Sequence, residues 1–306
     1  MRIVRSADYI PRRSAVVALG NFDGLHLGHR ALIGETVRLA KSMGLISCVW
    51  SFETHPVLEN LRGPRLILDP QRRLELLEEL GIELYVTDRF EDVRDLSPEA
   101  FAEEIIARRL NARAAVCGFN YSFGKNASGD PQTLKALLEP KGISVEIVSP
   151  IKDENGETVS SSLVRRLIEN GEMSRAVRLL GSPYEIRSAV VRGKGLGRKL
   201  GFATANQILP SDRAVPRKGV YASRMDIDGK VYDAVSNVGV RPTVENGAGV
   251  NLETHVFGYS GDLYGKTVTA GLYEFIRDER KFSGVDELSQ QIKRDSENVR
   301  EYFRKI

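Results

Sequence analysis

The hydrophobic pattern of this chain changes period once, near residue 183, and that change restricts the fold more than any other feature. Before it, apolar runs alternate with amphipathic stretches. Strands are predicted at Ala15–Leu19, Leu45–Phe52, Ile82–Val86, Ala114–Cys117 and Ile143–Val148, with helices at His29–Met43, from Asp69-Pro70, from Ser97-Pro98 to Leu110, and at Thr133–Leu138. Parallel neighbours need a crossover connection, so this alternation predicts a parallel sheet with helices on both faces. After the change, Glu185–Val191, Val220–Ile227, Lys230–Asn237, Leu252–Phe257 and Thr267–Ile276 follow one another without helices, and Asp228-Gly229 has the composition of a hairpin turn. That pattern predicts a small antiparallel barrel. A terminal helix opens at Ser283-Gly284-Val285-Asp286, a capping-box pattern, with Leu288, Ile292, Val299 and Phe303 as its apolar stripe. The expected organisation is α/β followed by β, with domains 1–182 and 183–306 divided at Gly181-Ser182-Pro183.

Within the first part, Gly20-Asn21-Phe22-Asp23-Gly24-Leu25-His26-Leu27-Gly28-His29 follows the first strand and leads into a helix. Glycines let the backbone approach a ligand, and the free N–H groups of a helix start attract anions. His26 and His29 are three residues apart, so both imidazoles can turn to one side of the first helical turn and donate to phosphate oxygens. A zinc pair, or two histidines packed beside a tight turn, are the alternatives. In open α/β sheets ligands sit beyond the carboxyl ends of the strands, which is where this turn falls. A second anion-binding surface is predicted at Ser160, Ser161 and Ser162 with Arg165, where hydroxyls precede an apolar helical run; a plain capped helix explains the same residues.

Composition narrows the partners. Forty-four basic residues against forty-one acidic leave a net charge of +3 with no concentrated basic block, which favours small anionic ligands over a nucleic acid. No apolar run approaches a membrane span, and the N-terminus lacks a signal-peptide core. The two cysteines, Cys48 and Cys117, sit in apolar strands and are expected to be buried thiols in the cytoplasm.

The barrel segment carries Gly193, Gly195 and Gly197 among three cations, followed by Thr204 and Asn206. Such a loop suits phosphates, and a hydroxyl with an amide oxygen are hard ligands of the kind Mg²⁺ prefers. A flexible basic loop on a nucleic-acid-binding barrel is the alternative.

Taken in order, these stretches resemble the bacterial bifunctional riboflavin kinase/FMN adenylyltransferases, or FAD synthetases. Gly20 to His29, with Phe22, Asp23, Gly24 and Gly28, is similar to that family's nucleotide-binding signature. Phe52-Glu53-Thr54-His55-Pro56 and Gly118-Phe119-Asn120-Tyr121-Ser122-Phe123-Gly124 are similar to its flavin-side segments, and Val159–Arg165 to its ATP-phosphate segment. Gly193 to Asn206 resembles the kinase signature, and Leu252-Glu253-Thr254-His255 its segment with the catalytic base. Two positions depart, Thr54 and Ala203 standing where the family has proline.

The resemblance implies a Rossmann-like nucleotidyltransferase domain and a riboflavin kinase-like barrel. It implies ATP with Mg²⁺, riboflavin, FMN and FAD as the small molecules handled. His26 and His29 would serve adenylylation, Asn120, Phe123 and His55 the flavin, Thr204 and Asn206 the metal, and Glu253 the ribityl hydroxyl. A chain with one working module, or a nucleotidyltransferase fused to a nucleic-acid-binding barrel, are the rival readings.

Overall fold

The computed structural model describes residues 1–53, 65–193, 204–241 and 249–306; His55, Gly195, Gly197, Thr54 and Ala203 lie outside the described residues. The chain divides into two compact units, Met1–Pro64 with Pro70–Ser160, and Arg65–Asp69 with Ser161–Ile306.

The first unit is a six-stranded sheet of β1 (Arg2–Arg5), β2 (Ala15–Leu19), β3 (Ile46–Phe52), β4 (Leu84–Asp88), β5 (Ala112–Gly118) and β6 (Ser144–Val148). Its order is β1-β4-β3-β2-β5-β6, and every pairing is parallel. All residues of β2 and β4 are buried, as expected of strands covered on both faces. The short, mostly exposed edge strand β1 has no long apolar run and is not legible in the sequence.

Helix α1 (Leu27–Met43) ends at Gly44 in the left-handed conformation, φ 64° and ψ 30°, which glycine adopts without a Cβ penalty. Helix α2 spans Pro70–Glu79. Helix α3 spans Pro131–Leu138 and begins earlier than its apolar pattern, because Asp130 caps it with a 2.7 Å bond from the Thr133 N–H and proline occupies the first turn.

The helix expected to reach Leu110 is a single α-turn, Pro98–Ala100, followed by a π-helix, Phe101–Arg109. The Leu110 N–H donates to the Ile105 carbonyl at 3.0 Å. Phe101, Ile105, Ile106 and Leu110 are all buried; their spacing of roughly five fits i→i+5 bonding better than an α-helical period. They pack on Leu19, Trp50, Val86 and Cys117 in the core of the sheet.

The second unit contains α4 (Ser161–Asn170), α5 (Met173–Leu180) and a closed barrel of β7 (Tyr184–Val191), β8 (Thr204–Ile208), β9 (Gly219–Ile227), β10 (Lys230–Arg241), β11 (Gly249–Val256) and β12 (Thr267–Arg277). The barrel order is β10-β11-β8-β7-β12-β9. At the β9–β10 turn Asp228 and Gly229 both have positive φ, 53° and 83°, as a two-residue primed turn requires. Strand β8 was not predicted; it begins where the sequence suggests only a ligand-binding loop.

The units part at Ser160, earlier than the sequence boundary at 182, because α4 packs on α5 and α5 packs on β7 and β12. Arg65–Asp69 also belongs to the second unit: the Leu66 N–H donates to the Asp212 carbonyl at 2.7 Å, and the Ala214 N–H to the Leu66 carbonyl at 2.8 Å.

The terminal helix α6 runs from Val285 to Arg304. Its start differs from the predicted box: Gly284 is the N-cap, without a side-chain cap bond, and the Glu287 carboxylate, not Asp286, accepts from the N–H and hydroxyl of Ser283, both at 2.8 Å. Val299 and Phe303 are buried, whereas Leu288 and Ile292 are half-buried and line a cavity.

Candidate active sites

The first candidate site lies where the sheet changes direction. From β2 the chain builds outward through β3 and β4, then crosses back to place β5 on the other side of β2. The crevice at such a switch point is where open α/β sheets bind ligands. Leu19 is level with Cys117 across the β2–β5 pair, so the turn after β2 and the loop after β5 leave the sheet side by side.

The turn is held in a costly conformation. Phe22 and Leu25, both buried, have φ of 54° and 42°, and Gly24 has φ of 86°. Left-handed non-glycine residues cost on the order of 1–3 kcal/mol each and persist where the surroundings over-determine them. A side chain at Gly20 would meet the Phe22 ring at 3.1 Å, and one at Gly28 would meet the His26 ring at 3.2 Å. Asp23 is buried within the same turn.

His26 is the N-cap of α1, and its Nδ1 accepts from the His29 N–H at 3.3 Å. Because Nδ1 is the acceptor, the neutral imidazole carries its proton on Nε2. The two rings stack at 3.7 Å, and the Phe22 ring meets His29 edge-on at 5.4 Å. Burial, and then the neighbouring His26, hold the His29 proton affinity well below the ordinary value of 6.5. His29 is therefore neutral in the free site at pH 7, and a phosphate brought beside it favours its protonation. Its Nδ1 is buried without a hydrogen-bond partner.

The predicted flavin residues separate. Asn120 is exposed in the loop after β5, beside exposed Phe119, with the Tyr121 N–H bonded to the Gly118 carbonyl at 3.0 Å. Phe123 is instead in the core, 5.4 Å from the Phe101 ring and 5.8 Å from that of Tyr121. Ser160 is half-buried just before α4, and the adjoining Val159 carbonyl lies 3.8 Å from where a Gly28 Cβ would stand. Ser161, Ser162 and Arg165 open α4 and belong to the second unit, where Arg165 Nε donates to the Arg65 carbonyl at 2.7 Å.

The second candidate site is on the barrel. Asn237 of β10, Glu253 of β11 and Asn206 of β8 are level with one another across adjacent strands, and Thr204 is level with His255. Thr204, Asn237, Glu253 and His255 line a cavity of about 210 Å³ whose other walls include Phe282, Leu288 and Ile292. Thr204 also lines a neighbouring cavity of about 280 Å³ with Gly193, Asn206, Asp262 and Tyr264. One hydroxyl thus borders both spaces, an apolar-walled one and one rimmed by glycine and polar groups.

Glu253 is exposed, and its Oε1 accepts from Asn251 Nδ2 at 3.0 Å; the same amide reaches Asn206 Oδ1 at 3.4 Å. Asn206 lies so close to Gly193 that a Cβ there would be 2.4 Å from its Nδ2. The stretch from Asn237 also resembles the family, without a role for Asn237, whereas sequence reasoning missed Asn251 and Glu279; Asn237 Nδ2 donates to Glu279 Oε1 at 3.1 Å. Strand register places the two asparagines, Asn237 facing Glu253 across a pair and Asn251 two residues from it on one face, while Glu279 is placed by its bond to Asn237.

The flanking wall is tied to α6. Asp295 is buried and takes Arg277 Nη2 at 2.6 Å and Nε at 3.0 Å, while Gln291 Nε2 donates to it at 2.7 Å.

Comparison with known proteins follows the same division. A family model described as FAD synthetase matches residues 10–163, and one described as riboflavin kinase matches residues 180–303. The bifunctional riboflavin kinase/FMN adenylyltransferase of Bacillus subtilis (strain 168) is 35% identical over 94% of this chain and 92% of its own. That of Escherichia coli (strain K12) is 32% identical over 99% and 97%. A crystal structure described as a macrolide-efflux protein from Streptococcus pneumoniae superposes with a TM-score of 0.87 at 32% identity, covering 97% of both chains. With both models matched in order and relatives aligned over nearly its whole length, the chain belongs to the bifunctional riboflavin kinase/FMN adenylyltransferase family.

Proposed function

We propose that the chain phosphorylates riboflavin to FMN on its barrel and adenylylates FMN to FAD on its parallel sheet, with residues 183–306 and 1–182 as the two functional domains. The observation that carries this division is the pair of family matches, one containing His26 and His29 and the other containing Thr204, Asn206 and Glu253.

On the barrel, Glu253 accepts the proton of the terminal ribityl hydroxyl as that oxygen attacks the γ-phosphorus of ATP, and ADP leaves. A carboxylate suffices, since positioning and charge neutralisation carry most of phosphoryl transfer. The bond from Asn251 orients Glu253. Thr204 and Asn206 offer a hydroxyl and an amide oxygen, hard donors that suit a magnesium ion arriving on ATP. Among the described residues no group of three or more His, Cys, Asp or Glu would hold a resident one. Magnesium, when bound, neutralises phosphate charge; Gly193 leaves the backbone open to the phosphates.

On the sheet, the FMN phosphate attacks the α-phosphorus of ATP in line and pyrophosphate leaves, so no protein nucleophile is required. His26 donates from Nε2, and His29 gains a proton as phosphate charge accumulates beside it. By their resemblance to the family motifs, Ser160, Ser161, Ser162 and Arg165 also serve the phosphates, and Asn120 the flavin. The two unpaired, buried thiols support a reducing compartment, the cytoplasm.

Incubation with riboflavin, ATP and Mg²⁺ followed by chromatography of the flavins tests the proposal; FAD is the expected end product. His29→Ala should stop at FMN. Glu253→Ala should leave riboflavin unchanged yet convert added FMN to FAD. Loss of both activities in either folded variant would refute this division of labour.

A further inference from the structure

Arg73, on α2, is nine-tenths buried, and among the described residues no carboxylate neutralises its charge. Its Nη1 donates to the Asn21 carbonyl at 3.0 Å and its guanidinium lies 5.9 Å from the Tyr85 ring centre. A guanidinium has five N–H donors. Here Nε has no partner, and among the described residues no carboxylate pairs with Arg73. Arg213, also buried, leaves its Nε unpartnered as well, but it bonds two backbone carbonyls and has the Asp69 carboxylate at 4.0 Å, a counter-charge that Arg73 lacks among the described residues.

Holding an unpaired cation out of water costs several kcal/mol, and a single π face returns about 0.5–2. The position of Arg73 suggests what balances the rest. Asn21 lies inside the strained turn, next to Phe22, whose ring packs against His29. Among the described residues of the first unit, the buried side-chain atoms left without partners are Nε of Arg73, Oη of Tyr85 and Nδ1 of His29. Unsatisfied polar atoms thus occur on the arginine that ties the turn down, on the tyrosine whose ring it faces, and on the histidine against which Phe22 packs.

We infer that Arg73 is a substrate-binding residue of the adenylylation site: it fixes the turn through the Asn21 carbonyl, and its buried charge is completed by the polyphosphate of ATP. This inference rests on the assignment of FAD formation to the sheet unit. It separates stability from function, because removal of an uncompensated buried charge relieves the free protein while depriving the substrate of its counter-charge.

The test uses the full chain with Arg73→Met and Arg73→Lys, assaying FAD formation from FMN and, separately, FMN formation from riboflavin. For Arg73→Met, KM for ATP in FAD formation should rise about tenfold or more, the order expected when a buried charge loses its partner. KM for ATP in FMN formation should not change, and the ligand-free melting temperature should hold or rise. Arg73→Lys should recover most of the ATP affinity. An unchanged KM would overturn the inference, as would a fall in melting temperature that Lys does not repair, since either marks a merely structural tie. Failure of the parent chain to make FAD from FMN, or full FAD formation by His29→Ala, would instead refute the assignment beneath it.

Discussion

At the scale of single residues, two close approaches carry testable weight. Gly193 is needed for its missing Cβ, which would stand 2.4 Å from Nδ2 and 2.6 Å from Cγ of Asn206. Gly193→Ala must push that amide off its position, and overpacking of this kind costs about 1–3 kcal/mol. Steady-state FMN formation should fall about tenfold or more, while FAD formation from added FMN remains. His29 supplies the second prediction. Its folded proton affinity lies well below 6.5, so the unfolded chain binds more protons below that pH and stability falls on acidification through 6.5. Replacement by Asn should flatten this part of the melting-temperature profile; an unchanged slope would mean that another group carries it. Both sites were partly legible, because glycines and histidines at fixed spacing announce a backbone approach and a helix start. Arg73 was not, since an arginine in an amphipathic helix reads as solvated until its burial is known.

At the scale of elements, α6 is more than a cover. Asp295 joins it to the end of β12 through Arg277, and Leu288 and Ile292 supply walls to the cavity that contains Glu253. Breaking a largely buried pair destabilises strongly, here by about 2–3 kcal/mol once the partial exposure of Arg277 is discounted. Asp295→Ala should lower the barrel's denaturation midpoint and weaken FMN formation, with FAD formation from FMN intact. Strands and helices were legible wherever burial was two-sided or amphipathic. The exceptions have physical causes: β1 is an exposed edge, β8 starts within a glycine-rich stretch, and the π-helix shares the composition of an α-helix. The acid that bonds Ser283 at the start of α6 is one residue beyond the pattern that announced it, as end geometry is set by local bonding more than by motif spacing.

For the whole molecule, the His26–His29 turn and the barrel site lie in different compact units, each with its own core, although Ser161, Ser162 and Arg165 fall in the barrel's unit. FMN made on the barrel is therefore expected to be released and rebound. In a reaction started with labelled riboflavin, unlabelled FMN in solution should dilute the label in FAD in proportion to its concentration; undiluted label would establish direct transfer. The change of hydrophobic period located both architectures, whereas the compact units part at Ser160. Helices α4 and α5 read equally well as the tail of one unit or the head of the next, and only their packing on β7 and β12 decides. The placement of Arg65–Asp69 in the barrel unit left no local signal either, because it depends on backbone pairing with residues far along the chain.

The reliance of the barrel cavity on α6 has a consequence for the order of manufacture. The last strand of the sheet ends at Val148, whereas the cavity wall waits for Leu288, Ile292 and Asp295. Domains fold as they emerge, N-terminal first. A ribosome making this chain thus completes the enzyme for the later chemical step well before the enzyme for the earlier one. Premature termination shortly before Leu288 would leave a protein able to finish FAD from FMN it is given but unable to begin from the vitamin.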